Sequence, residues 1–103
     1  MKKFLYAIIF GSLAVIFLNH SVIASVAYVT NEKDNTVSVI DIKKKKLIKT
    51  VDVGQRPRGI IMSKDGKLVL ICASDDDRVE VRDAGTLKLK YYLPSGPDPE
   101  LFI

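Results

Sequence analysis

One feature narrows the folds open to this chain more than any other. The stretch Tyr28 to Asp41, YVTNEKDNTVSVID, returns further on at a fixed spacing of 42 positions. Shifted by that amount without a gap, Val37 and Val39 fall on Val79 and Val81, and Asp34 and Asp41 on Asp76 and Asp83. The correspondence runs past the motif, from Lys46 and Leu47 onto Lys88 and Leu89, Gly54 onto Gly96, Pro57 onto Pro99 and Ile61 onto Ile103. A period of 42 lies within the roughly 40 to 45 residues of a four-stranded propeller blade and away from the roughly 33 or 34 of ankyrin and TPR repeats. Some helical repeats are about as long, so the residue pattern inside the unit has to decide.

That pattern is alternation. Thr36-Val37-Ser38-Val39-Ile40 places Val37 and Val39 on one face of a strand, and Val79 and Val81 do the same around the polar Glu80. Turn residues and alternation predict strands at Val26–Thr30, Thr36–Ile40, Leu47–Asp52, Gly59–Met62, Leu68–Ala73, Arg78–Arg82 and Leu87–Leu93, with Leu101–Ile103 beginning an eighth. Asp65-Gly66 reads as a tight two-residue hairpin turn, because glycine supplies a positive φ. Gly54 and Gly96, each followed three residues later by proline, mark links between blades in which proline keeps the chain extended.

On these residues, YVTN, TVSVID, TVDVGQRPRGI and the SKDGK turn, the chain resembles the YVTN-type β-propeller repeat proteins of bacteria. The segments GQRPRGI, ICASDDDRVEV and LPSGPDPELF are further similar to periplasmic propellers associated with pyrroloquinoline-quinone-dependent catabolism. The resemblance covers Ala27 to Ile103, with Arg82 departing from the pattern at the place of Ile40. It implies an all-β propeller array of about one and three-quarter blades of antiparallel four-stranded sheet. Residues 25–53 would form an incomplete first blade, 59–94 a complete one and 100–103 the start of a further one. A whole propeller needs about four to eight blades, so the chain reads as a truncated ring with open blade edges through which copies could associate.

The start of the chain has a different character. Lys2 and Lys3 precede an apolar run of 15 residues, Phe4 to Leu18, and Val22-Ile23-Ala24 offers a cleavage site, which together describe a signal peptide over residues 1–24. Fifteen residues fall short of the roughly 20 a spanning helix needs, so membrane attachment is expected only through this segment if it stays uncleaved. The expected location is periplasmic or secreted. Cleavage removes Lys2, Lys3 and His20, the one histidine, and leaves 14 basic against 12 acidic residues. A net charge of +2 gives no footprint for nucleic acid, and the expected partner is a protein in the periplasm. The single Cys72 cannot form an internal disulfide and reads as a buried strand thiol.

No catalytic constellation is visible. Without a histidine after residue 24 there is no histidine-based triad or general base, and one cysteine makes no soft-metal or redox pair. No cofactor-binding or metal residue is expected, and the chain is read as non-catalytic. Propellers of the kind it resembles hold haem in periplasmic nitrite reductases, which keeps a quinone- or haem-binding module of an oxidoreductase system as the alternative, beside a piece with no independent function. Asp75-Asp76-Asp77 lacks the spaced ligands of a calcium hand and reads as a polar turn. Lys43 to Lys46 reads as a solvated hairpin that discourages edge pairing. Gly54 to Gly59 is no phosphate loop, since no lysine-serine pair follows it and a strand does.

The remaining candidates are Arg56 and Arg58, which flank Pro57, and Asp98 and Glu100, which take their places one repeat later. These four form the expected ligand or partner face, against the plainer reading of an inter-blade salt bridge or simple solvation. Strand order alone puts Glu32, Asp34, Asp75 to Asp77, Arg56 and Arg58 at one end of the array, and Lys43 to Lys46, Lys64 and Lys67 at the other.

Overall fold

The computed structural model describes residues 25–103, and the expected signal helix of residues 1–24 lies outside them. The described residues are all-β. Strands β1 (Val26–Asn31), β2 (Thr36–Asp41) and β3 (Lys46–Asp52) form one antiparallel sheet in that order. Strands β4 (Pro57–Met62), β5 (Leu68–Ala73), β6 (Arg78–Asp83) and β7 (Leu89–Pro94) form a second.

The two sheets repeat in backbone detail as well as in sequence. Strand β5 lies 42 residues after β1, and β6 lies 42 after β2. A register shift between Val39 and Ile40 returns between Val81 and Arg82. Left-handed residues recur in pairs at the same spacing, Asn35 with Asp77, Lys45 with Leu87 and Arg56 with Asp98. Such conformations are uncommon outside glycine, so their return marks one blade design used twice.

Alternation decides which side chains enter the core. On β2 only Val37 and Val39 are fully buried, with Thr36, Ser38 and Ile40 between them on the other face. Val37 and Val39 pack with Val69 and Ile71 of the second sheet and with Ala84 and Leu87 of its β6–β7 loop, and Val26, Tyr28, Val51, Val53 and Ile60 close around them. Two hydrogen bonds tie the sheets at the margins, from Tyr28 Oη to the Ala84 carbonyl at 2.7 Å and from Thr30 Oγ1 to the Arg58 carbonyl at 2.8 Å.

Three expectations are corrected at strand ends. Leu87 does not open a strand: it adopts φ 62° at the end of a loop and drives its side chain into the inter-sheet core, so β7 begins at Leu89. The Asp83 carboxylate holds that loop by accepting from the amides of Gly85 and Thr86 at 3.0 and 2.8 Å. The Asp65-Gly66 turn is wider than two residues. Ser63 to Gly66 form a β-turn closed by Gly66 N–H on the Ser63 carbonyl at 2.9 Å, and only Gly66 has positive φ, +74°. Residues 101–103 form no strand, because a strand needs a ladder partner and no described strand pairs with them.

One buried feature breaks the apolar rule. Glu80 and Arg82 pair across the ladder with Ile71 and Val69, which places both on the face of β6 that meets the first sheet. Arg82 donates from Nε to Glu80 Oε1 at 2.8 Å and from Nη1 to the Leu87 carbonyl at 2.8 Å. Their first-repeat counterparts are the uncharged Ser38 and Ile40. Removing one partner of a buried pair strands the other charge at a cost of about 3–5 kcal/mol. Arg82→Ala is therefore expected to lose that much in a urea titration. The double change Glu80→Ser with Arg82→Ile, which installs the first-repeat residues, is expected to unfold at a higher urea concentration than Arg82→Ala.

Candidate functional site

The loop between β1 and β2, the β3–β4 link, the β5–β6 loop and the segment after β7 all emerge at one end of the two sheets. They bring together the four residues singled out from the sequence, and add two more. Arg56 is the centre. Its left-handed backbone, φ 54°, turns the chain between the blades, and its amide donates to Asn35 Oδ1 at 2.7 Å. Its guanidinium reaches Glu32 Oε2 at 2.9 Å, Asp75 Oδ1 at 3.2 Å and Asp98 Oδ1 at 3.8 Å. Arg58 reaches Glu100 Oε2 at 3.0 Å and Glu32 Oε2 at 3.9 Å.

The positions repeat while the charges reverse. Asp98 donates its amide to Asp77 Oδ1 at 2.9 Å, one repeat on from the bond between Arg56 and Asn35. Arg56 and Arg58 of one link thus face Asp98 and Glu100 of the next, and alternation of sign converts repulsion between equivalent positions into attraction. Glu32 and Asp75 are the members not among the four sequence candidates, although strand order places both at this end. These groups are a quarter to a half exposed, so solvent screening keeps each pair weak.

The aspartate triplet is distributed among different donors. Asp75 accepts from Arg56, Asp76 accepts from the Gln55 amide at 2.8 Å, and Asp77 accepts from the Asp98 amide. Among the described residues no group of three or more His, Cys, Asp or Glu side chains is gathered as a metal site. Gly54 sits where the link passes closest to the second sheet. A Cβ there would lie 2.7 Å from Asp76 Oδ2, 2.7 Å from Glu80 Oε2 and 2.8 Å from the Ala73 Cβ, which explains glycine without any appeal to phosphate.

The opposite end is basic. Lys43 to Lys45 lie in the turn between β2 and β3, Lys46 opens β3, and Lys64 and Lys67 lie in the β4–β5 loop. Lys49 extends from β3 to the carbonyls of Gly85 and Thr86 at 3.2 and 3.4 Å, so one lysine of this end joins the two blades. Cys72 is buried on β5, and burial pushes its thiol up.

Two stacked antiparallel sheets, repeating at 42 residues and joined by a link from the last strand of one to the first strand of the next, define the chain as β-propeller blades. The model of the family described as the cytochrome D1 heme domain matches residues 10–99, and the chain belongs to that family. Hydrazine synthase of Kuenenia stuttgartiensis is similar in structure, with a TM-score of 0.70 and 22% identity over 75% of this chain. The chain spans 22% of the length of that protein, and the likeness is one of fold. Among curated protein sequences there is no match.

The family description implies haem, and the described residues do not fit it. They hold no histidine, since His20 is the only one in the chain. Tyr28 commits its hydroxyl to the Ala84 carbonyl, and Cys72 is a buried thiol beside Gly59, with Leu101 packed over the same glycine. The cleft at Glu32, Arg56 and Asp75 is open and lined by charge, unlike the mostly apolar wall such a cofactor takes.

The site carries its own pH dependence. The hydrogen bond from Arg56 holds the Glu32 carboxyl below its ordinary value, with Arg58 acting in the same direction. A carboxylate whose folded pKa is depressed contributes stability above its unfolded pKa and loses it as pH falls through the folded value. Asp65 and Asp83 are lowered in the same way, by Ser63 and by Thr86. The thermal midpoint is therefore expected to fall below about pH 4, and Glu32→Gln is expected to be less stable at pH 7 but to lose less on acidification. Equal acid sensitivity of the two chains would show that Glu32 contributes nothing through Arg56.

Proposed function

We propose that this chain is an exported, non-catalytic β-propeller of the YVTN type. In this reading it binds a protein partner in the periplasm, as an accessory of a quinone-dependent oxidation system. The observation that carries the reading is the network around Arg56. The charged groups at the mixed end are joined to one another across the blades, so they brace a surface and leave no poised acid, base or nucleophile among them. Arg56, Arg58, Asp98 and Glu100 then serve as a patterned face that a protein of complementary charge could read. The leader of residues 1–24 supports the periplasmic or secreted assignment, and the GQRPRGI, ICASDDDRVEV and LPSGPDPELF segments support the link to quinone-dependent catabolism.

A second reading is a quinone- or haem-binding module of a periplasmic oxidoreductase system, and the family description supports its haem form. The absorption spectrum separates the two. Full-length chain, expressed with its leader in cells that make both cofactors, is expected to show only aromatic absorption once purified. A haem Soret band or a quinone band that persists through purification would overturn the binding-protein reading in favour of the module. Export has its own readout: intact mass is expected to give a species beginning at Ser25, and uncleaved chain in the cytoplasmic fraction would remove the periplasmic assignment.

A further inference from the structure

Three loops meet at the lysine end, and their charge is not neutralised within the molecule. Lys43 to Lys45 form the β2–β3 turn, Lys46 opens β3, Lys64 and Lys67 flank Asp65-Gly66, and Lys88 closes the β6–β7 loop. All seven are exposed. Among the described residues every ion pair is made by Arg56, Arg58 or Arg82, and no lysine makes one. Residues 1–24 contain no aspartate or glutamate, so the leader supplies no counter-charge.

The three aspartates of this end are turned to their own loops. Asp41 Oδ1 accepts from the Lys44 amide at 2.9 Å, and Asp65 Oδ1 from the Ser63 hydroxyl and the Lys67 amide at 2.6 and 3.0 Å. Asp83 Oδ2 accepts from the Gly85 and Thr86 amides. Seven lysines against three aspartates leave a positive field at one end of a body that carries 14 basic and 12 acidic residues in all.

Neither edge protection nor turn geometry accounts for these lysines. The last ladder pair of β2 and β3 is Asp41 with Lys46, so Lys43 to Lys45 lie beyond the ladder. Lys45 holds a left-handed φ of 56°, a conformation that glycine or asparagine takes more readily. Its counterpart Leu87 holds a similar backbone by filling the core, whereas Lys45 is exposed. Blades stack through the faces of their sheets, and these loops project past those faces. Lys49, reaching the Gly85 and Thr86 carbonyls, joins the two blades here, so their lysines form one surface.

The entry of the chain indicates what that surface meets. Val26 pairs with Asp41, and the Ser25 carbonyl accepts from the Ile42 amide at 3.1 Å, so the leader joins the first sheet at the lysine end. Residues 19–24 separate the apolar run Phe4–Leu18 from Ser25, and an extended chain of that length spans about 25 Å at most. While the run is in lipid, the lysine end is therefore held close to the headgroups. An acidic protein would match the charge, but nothing in the chain brings it to this end.

We propose that the lysine end is a docking surface for anionic phospholipid headgroups, which seats the two blades on a bilayer and turns the Arg56 network toward solution. Clusters of several lysines near a membrane are drawn to anionic lipid through a field that salt screens. The contact acts after cleavage as well, because all seven lysines belong to residues 25–103. The inference uses the leader only for orientation and is independent of the proposed oxidation system.

The test uses protein purified after expression of the full chain with its leader, its first residue fixed by intact mass. Vesicles of an equal mixture of phosphatidylglycerol and phosphatidylcholine are expected to carry it down on sedimentation at low salt and to release it at high salt. Protein beginning at Ser25 is expected to stay in solution with vesicles of phosphatidylcholine alone; where the leader is retained, the readout is the additional binding that phosphatidylglycerol brings. Lys43→Gln, Lys44→Gln and Lys46→Gln together are expected to weaken binding at least about tenfold, while Lys33→Gln at the mixed end leaves it unchanged. Equal binding to the two kinds of vesicle, or an equal loss from Lys33→Gln, would overturn the proposal. Binding to immobilised polyglutamate but not to the anionic vesicles would overturn it in favour of an acidic protein. Circular dichroism confirms the fold of each variant, and the two kinds of vesicle decide the matter with unsubstituted protein even if the triple variant fails to fold.

Discussion

The rest of the structure depends on the burial of Val37 and Val39 against Val69 and Ile71, where one sheet lies on the other. Neither sheet is wide enough to enclose its own apolar side chains, so each is a folded unit only with its neighbour. Full burial of a valine, leucine or isoleucine contributes about 1.5–3 kcal/mol, which makes this small cluster the main source of order among the described residues. Leu87 belongs to it in an instructive way. Its left-handed backbone is unfavourable for a bulky residue, and the surrounding loop, held by Asp83, keeps it there because the side chain fills the space between the sheets.

The same interface accepts charge where the charge is fully paired. Glu80 and Arg82 lie two residues apart on β6, hence on one face, and the second hydrogen bond from Arg82 to the Leu87 carbonyl links the pair to the loop that plugs the core. Gly54 completes the fit, since the inter-blade link runs so close to Glu80 and Ala73 that a side chain would displace them. The buried pair, the loop and the link are therefore one packing problem with a joint solution.

At the ends of the sheets the arrangement is electrostatic. Every second loop of an antiparallel blade emerges on the same side, so the charges of distant loops are gathered without any contact between them in sequence. Arg56 bridges the β1–β2 loop, the β5–β6 loop and the segment after β7 because the two blades are stacked, and the reversal of sign between Arg56 and Asp98 suits a design in which equivalent positions lie side by side. The bracing is weak at each pair and shared over several.

Most of the strand plan was legible in the chain itself. A gapless repeat of 42 positions and period-two alternation specify the blades, their order and the end to which each loop belongs, because these depend only on local backbone preference and on antiparallel connection. Arg56, Arg58, Asp98 and Glu100 could be chosen on that basis. Their partners Glu32 and Asp75 could be placed at the same end but not joined to Arg56, since the joining needs the distance between two sheets. The Glu80–Arg82 pair, the inward turn of Leu87 and the close approach at Gly54 were decided by tertiary structure alone. Each is set by the space left when one blade is laid on another, and no alternation pattern within a single strand encodes that space.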